Sequence, residues 1–105
     1  MGFAVVGKLS KRQIERHIRN AAKETHNVIL TVHAKARLRE RKVSISMLYE
    51  CLRQGTLSRN PEPNASKGTL ECRMDRYTCG ANISVVVAIS DEDPNLIVVT
   101  VLETA

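Results

Sequence analysis

Aromatic side chains are almost missing from this chain. Phe3, Tyr49 and Tyr77 are the only three among 105 residues, and there is no tryptophan. A platform that stacks successive bases of a single strand needs more rings than that. The core must instead be aliphatic, drawn from a 43% hydrophobic fraction of mostly Val, Ile, Leu and Ala. Long apolar runs are missing too. No segment approaches the roughly 20 apolar residues of a membrane span. The opening MGFAVVGKLS has no basic lead and too short an apolar run for a signal peptide. Val6 occupies the position where a myristoylation signal requires Ser or Thr. A cytoplasmic protein without membrane contact is expected. The three cysteines, Cys51, Cys72 and Cys79, form no C-x-x-C pair, and their spacing to His17, His26 or His33 matches no usual zinc pattern. Reduced thiols are expected, with Cys51 and Cys72 in the core, and no metal or other cofactor. The strand ends carry no tight Asp/Glu cluster, which speaks against a two-metal nuclease.

What is abundant is positive charge, and it is uneven. The net charge is +5. Residues 1–60 hold thirteen Lys/Arg against four Asp/Glu, whereas residues 61–105 hold three against seven. A basic face of this kind is the electrostatic footprint of a protein that meets nucleic acid, and equally the solvated surface of a soluble protein.

The length fits one domain. KRQIERHIRNAAKE (11–24) reads as a helix, with Ser10 as N-cap and a narrow stripe of Ile14, Ile18 and Ala21 or Ala22. THNVILTV reads as a short extended connection. A second helix covers His33–Arg41. Ser44 caps a third, ISMLYECLRQ, stopped by Gly55, with Ile45, Leu48, Cys51 and Leu52 as its buried stripe. SRNPEPNASKG is a loop around a possible short strand at Gly55–Ser58. TLECRMDRY alternates, placing Leu70, Cys72 and Met74 on one face and Glu71, Arg73 and Asp75 on the other. A hairpin turn at Thr78–Asn82 leads into NISVVVAIS, and the acidic turn SDEDPN into NLIVVTVLE. Strict alternation in that last strand puts Thr100 on one face with Val98 and Leu102. This order predicts an α+β fold, with N-terminal helices packed on one face of a small antiparallel sheet of three to four strands.

The segment HAKARLRER (33–41) holds the densest chemistry. At about 100° per residue, Arg37, Glu40 and Arg41 fall within about 80° of His33. One imidazole, one carboxylate and two guanidiniums therefore share an arc. Ala34 and Leu38 form an apolar edge beside it, while Lys35, Arg39 and Lys42 form a basic back. The bland reading of the arc is ion pairing on a helix surface.

The same residues carry a resemblance. His33-Ala34, Arg37-Leu38, Glu40-Arg41 and Val43-Ser44 spell H-A-x-x-R-[LM]-x-E-R-x-[IV]-S, and the match continues through Gly55, Pro61–Pro63 and the closing Val98–Val101. This pattern resembles the signature of a bacterial family of domains of unknown function over roughly residues 28–103. That family looks similar to RelE-type toxins and to the wider barnase-like and EndoU-like nucleases. Two positions depart: Lys42 stands where the pattern often has Gly, and Val101-Leu102 where an aromatic often closes the last strand. The resemblance implies a RelE-like core at 28–103 behind a helical extension at 1–27. It also implies metal-independent RNA cleavage by a toxin with an antitoxin or immunity-type partner, acting on RNA, free or ribosome-associated.

Such cleavage needs a base for the 2′-OH, a cation for the charged transition state and an acid for the leaving 5′-oxygen. His33 can serve as base or acid. Arg37 and Arg41 match phosphate oxygens with paired donors, and Thr100 is a further hydrogen-bond donor. Glu40 can orient His33 or an arginine, or act as a second base. Arg73, Arg76, Lys35 and Arg39 are the expected nucleic-acid contacts. The rival function is a non-catalytic basic module that grips nucleic acid or a protein, and a third is a structural protein that pairs its strands into a dimer.

Overall fold

The computed structural model describes residues 9–78 and 80–104. The apolar opening with Phe3, and Cys79 in the hairpin turn, lie outside the described residues. Three helices and five strands follow one another as α1 (Lys11–Ala21), β1 (Val28–Leu30), α2 (Val32–Arg41), α3 (Ile45–Gln54), β2 (Glu62–Asn64), β3 (Thr69–Thr78), β4 (Ala81–Ile89) and β5 (Leu96–Thr104). The fold is α+β. No helix is long and apolar enough to cross a membrane among the described residues.

Each helix begins where a hydroxyl satisfies an otherwise unpaired N–H. Ser10 accepts from Gln13 N–H while the Gln13 side chain accepts from Ser10 N–H, closing a reciprocal cap. Thr31 accepts from Ala34 N–H, and Ser44 from Met47 N–H. α1 ends at Ala21, earlier than its periodicity predicts. There the Asn27 amide donates to the Ala21 carbonyl and Arg53 to the Ala22 carbonyl, so these groups are satisfied without another helical turn. α2 ends on Lys42 in the left-handed region, with φ of 56°.

The sheet order is β1-β5-β4-β3-β2. β3, β4 and β5 form the expected antiparallel centre. Two three-residue edge strands extend it: β1 runs parallel to β5, and β2 antiparallel to β3. The sheet is therefore mixed and five-stranded, because segments three residues long are too short for alternation to reveal. The possible strand at Gly55–Ser58 reduces to a single bridge between Thr56 and Asp75.

One sheet face is covered by helices. Leu70, Cys72 and Met74 of β3, Ile83, Val85, Val87 and Ile89 of β4, and Leu96, Val98 and Val101 of β5 are buried there. Leu48, Cys51 and Leu52 of α3 join them, together with Ile14, Ile18 and Ala22 of the α1 region. Ile45 is 42% exposed rather than part of this stripe; it is the first residue of α3, and the buried row starts one turn later. Burial pushes the Cys51 and Cys72 thiols up to about 12, so both are inert core groups.

The opposite face carries Glu71, Arg73 and Asp75 of β3 beside Ala88, Val86 and Ser84 of β4. Here β5 departs from strict alternation. Val87 pairs with Val98 but Val86 pairs with Thr100, leaving Val99 as an extra residue. This bulge reverses the parity of the strand beyond it. Val98 faces the core, whereas Thr100 and Leu102 turn to the open face, so Thr100 does not share a face with Val98.

Candidate functional site

Cross-strand rows organise the open face. Arg73, Val86 and Thr100 form one row, and Glu71, Ala88 and Ile97 the next. Above the second row stands the first turn of α2. Its N-cap, Thr31, donates its hydroxyl to the Val98 carbonyl at 2.8 Å and so fixes the helix start to β5. His33, two residues on, is thereby held at the rim of the open face.

Two cavities share this surface. The first, of about 330 Å³, is lined by polar Arg59, Asn60, Glu62, Glu71, Arg73 and Thr100 over a floor of Val86, Val99 and Leu102. The second, of about 350 Å³, is lined by Thr31, His33, Lys67, Thr69 and Glu71 over Ala88, Ile97 and Val99. Glu71 and Val99 belong to both, so the cavities form one continuous groove. His33 therefore shares a surface with Arg73 and Thr100.

Arg73 is held by a short chain of polar contacts. Its Nε donates to Asp75 Oδ1 at 3.1 Å. Asp75 also accepts from the hydroxyls of Ser58 and Ser84. Burial opposes ionisation of Asp75, but the bonds from Ser84, Ser58 and Arg73 outweigh it and hold this carboxyl below the usual carboxylate range. The anchored carboxylate fixes Arg73 while its terminal nitrogens stay available to an anion.

The remaining sequence-derived candidates lie elsewhere. Arg37 pairs with Glu40 on α2, which realises the ion-pair reading of that arc. Arg41, Lys35 and Arg39 are exposed, and none of these four arginines and lysines lines either cavity. Arg76 is even-numbered on an alternating strand, so it emerges on the helix side, opposite Arg73. There its Nε donates to Glu50 of α3 at 3.1 Å. Hydrogen bonds from Thr78 and then Arg76 hold the Glu50 carboxyl below its ordinary range.

Of the charged groove residues, Glu71, Arg59, Glu62 and Lys67 were not among the sequence-derived candidates. Glu71 had a visible signal: it is a carboxylate on the polar face of an alternating strand, next to Arg73. Arg59 and Lys67 had none, because both come from the irregular segment around β2. Among the described residues no cluster of three His, Cys, Asp or Glu is arranged to hold a metal ion.

Comparison with known proteins agrees on family and stops there. No curated protein and no solved structure matches the chain. A family model described as a domain of unknown function (DUF4258) matches residues 30–103, from the last residue of β1 into β5, and includes both His33 and Thr100. The chain belongs to this family of domains of unknown function.

Proposed function

We propose that this protein is a metal-independent ribonuclease of the RelE-like toxin type, working through the groove on the open face of its sheet. The observation that carries the reading is that His33 and Glu71 line one cavity while Glu71, Arg73 and Thr100 line its continuation. In this scheme Glu71 takes the proton of the 2′-OH. The freed oxygen attacks the adjacent phosphorus, and His33 supplies a proton to the departing 5′-oxygen, leaving a 2′,3′-cyclic phosphate. Arg73, with Arg59 beside it, neutralises the charge that builds on the phosphate oxygens, and Thr100 adds a hydrogen bond. Arg37 and Arg41 have no direct part, since neither lines the groove. An acidic antitoxin covering a basic face of the chain is the partner this reading implies.

The test is cleavage of RNA by the purified chain in the presence of a chelator, with and without ribosomes. Cyclic-phosphate ends are expected, and His33→Ala or Glu71→Gln should each slow cleavage by about 10²–10⁴-fold. Expression in a bacterium should arrest growth, and the same substitutions should relieve the arrest. A wild-type chain that binds RNA with steep salt dependence yet never cuts it is a binding module instead.

A further inference from the structure

A second charged surface lies on the helical side of the molecule, away from the groove. A cleft between α1 and α3 is lined by Arg12, Glu15, Arg16, Arg19, Asn20, Lys23 and Arg53. Five cations surround one carboxylate, and that carboxylate is already engaged. Glu15 accepts from Leu57 N–H at 2.8 Å and pairs with Arg19.

Two of the cations are fixed by the helix ends they serve. Arg19 of α1 donates to the Gly55 carbonyl through Nε and Nη2, at 2.9 and 2.6 Å, just past the end of α3. Arg53 of α3 returns the contact: its Nε donates to the Ala22 carbonyl at the end of α1, at 2.7 Å, and its guanidinium stacks over Tyr49. This reciprocal capping holds two guanidiniums in place with donors to spare. Arg12, Arg16 and Lys23 are exposed and make no ion pair among the described residues. Arg12 and Arg16 stand at i and i+4 on one face of α1, and Lys23 follows in the turn just past its end.

We infer that this cleft binds the phosphodiester backbone of RNA, as a site separate from the groove. An acidic protein segment is the competing occupant, and the lining argues against it. Protein interfaces centre on apolar and aromatic anchors, and every residue lining this cleft is polar or charged. Arginine-rich, apolar-free surfaces suit phosphate. Without stacking rings, binding here should be insensitive to base sequence. α1 precedes the matched family domain, whereas Arg53 lies within it. The phosphate contact stands on the cleft alone, and naming RNA as its source rests on the function proposed for the groove.

The experiment uses the full chain and a fluorescent mixed-sequence 2′-O-methyl RNA of about two dozen nucleotides, which keeps the phosphates but cannot be cut by 2′-OH attack, with affinity read by anisotropy across a potassium chloride series. The triple variant Arg12→Gln/Arg16→Gln/Lys23→Gln alters exposed residues only, and circular dichroism checks that it folds. It should lose at least tenfold in affinity, and its slope of log affinity against log salt should shrink by about 2. The charge-matched variant Lys35→Gln/Arg39→Gln/Lys42→Gln on α2 should lose less than threefold. Equal losses from both variants would mean diffuse attraction to net charge and overturn the site. So would an α1 triple with unchanged RNA affinity, or a wild type that binds an acidic peptide and not RNA.

Discussion

Thr31 and Val98 are joined twice: the Thr31 hydroxyl donates to the Val98 carbonyl at 2.8 Å, and the Thr31 N–H reaches the same oxygen at 3.4 Å. The hydroxyl also accepts from Ala34 N–H at 3.1 Å. One side chain therefore caps α2 and ties it to β5 beside the bulge at Val99. Thr31→Val keeps the shape and removes both side-chain bonds. It should lower stability by about 1–2 kcal/mol, read from the urea midpoint, while Thr31→Ser should restore most of the loss.

Asp75 gives the fold a defined acid sensitivity. Its folded value is depressed, so the folded chain takes up this proton less readily than the unfolded chain. The stabilisation is complete above the unfolded carboxyl value of about 4, and is lost as pH falls through the folded value. Asp75→Asn should lower stability at neutral pH by about 1 kcal/mol. It should also flatten the fall in urea midpoint below about pH 4. A variant with the same acid profile as wild type would exclude Asp75 as a contributor.

Lys42 closes α2 with a positive φ, where a Cβ is strained. Its N–H and that of Val43 bond back to Arg39 and Leu38, so the conformation is set by the helix end rather than by the residue. Lys42→Gly should raise stability by about 0.5–1 kcal/mol, and Lys42→Val should lower it, as measured by thermal and urea unfolding.

Gly55 is required for a different reason. Its backbone is extended, but a Cβ would run into the Cys51 carbonyl and stand 2.8 Å from the Asp75 carbonyl. Both obstacles are backbone, held by the end of α3 and by the Thr56–Asp75 bridge. Gly55→Ala should cost about 2–3 kcal/mol. Because Asp75 anchors Arg73, it should also weaken the proposed RNA cleavage more than a distant substitution of equal destabilisation does.

Much of the layout was readable in one dimension. Ser10, Thr31 and Ser44 are cap residues ahead of helical patterns, and capping is a local interaction. Leu70, Cys72 and Met74 alternate with Glu71, Arg73 and Asp75, and alternation alone separates the two faces of β3. The HAKARLRER arc was readable only in part. Helical spacing correctly brought Arg37 to Glu40, but it grouped them with His33 as if one arc meant one site. In the fold, His33 is at the rim of the groove and Arg37 is not. Arg73 and Arg76 share a charge but not a face, because three residues along a strand reverse it.

By itself, the sequence determined where helices start, which strand faces are apolar and that the core is aliphatic, since caps and periodicity act within a few residues. Only the tertiary structure decided which polar groups far apart in sequence meet. The Thr31–Val98 contact crosses 67 positions, the bulge at Val99 exists only against β4, and β1 is a strand only beside β5. These depend on register between distant segments, which local propensity does not encode, and they place His33, Glu71, Arg73 and Thr100 along one groove.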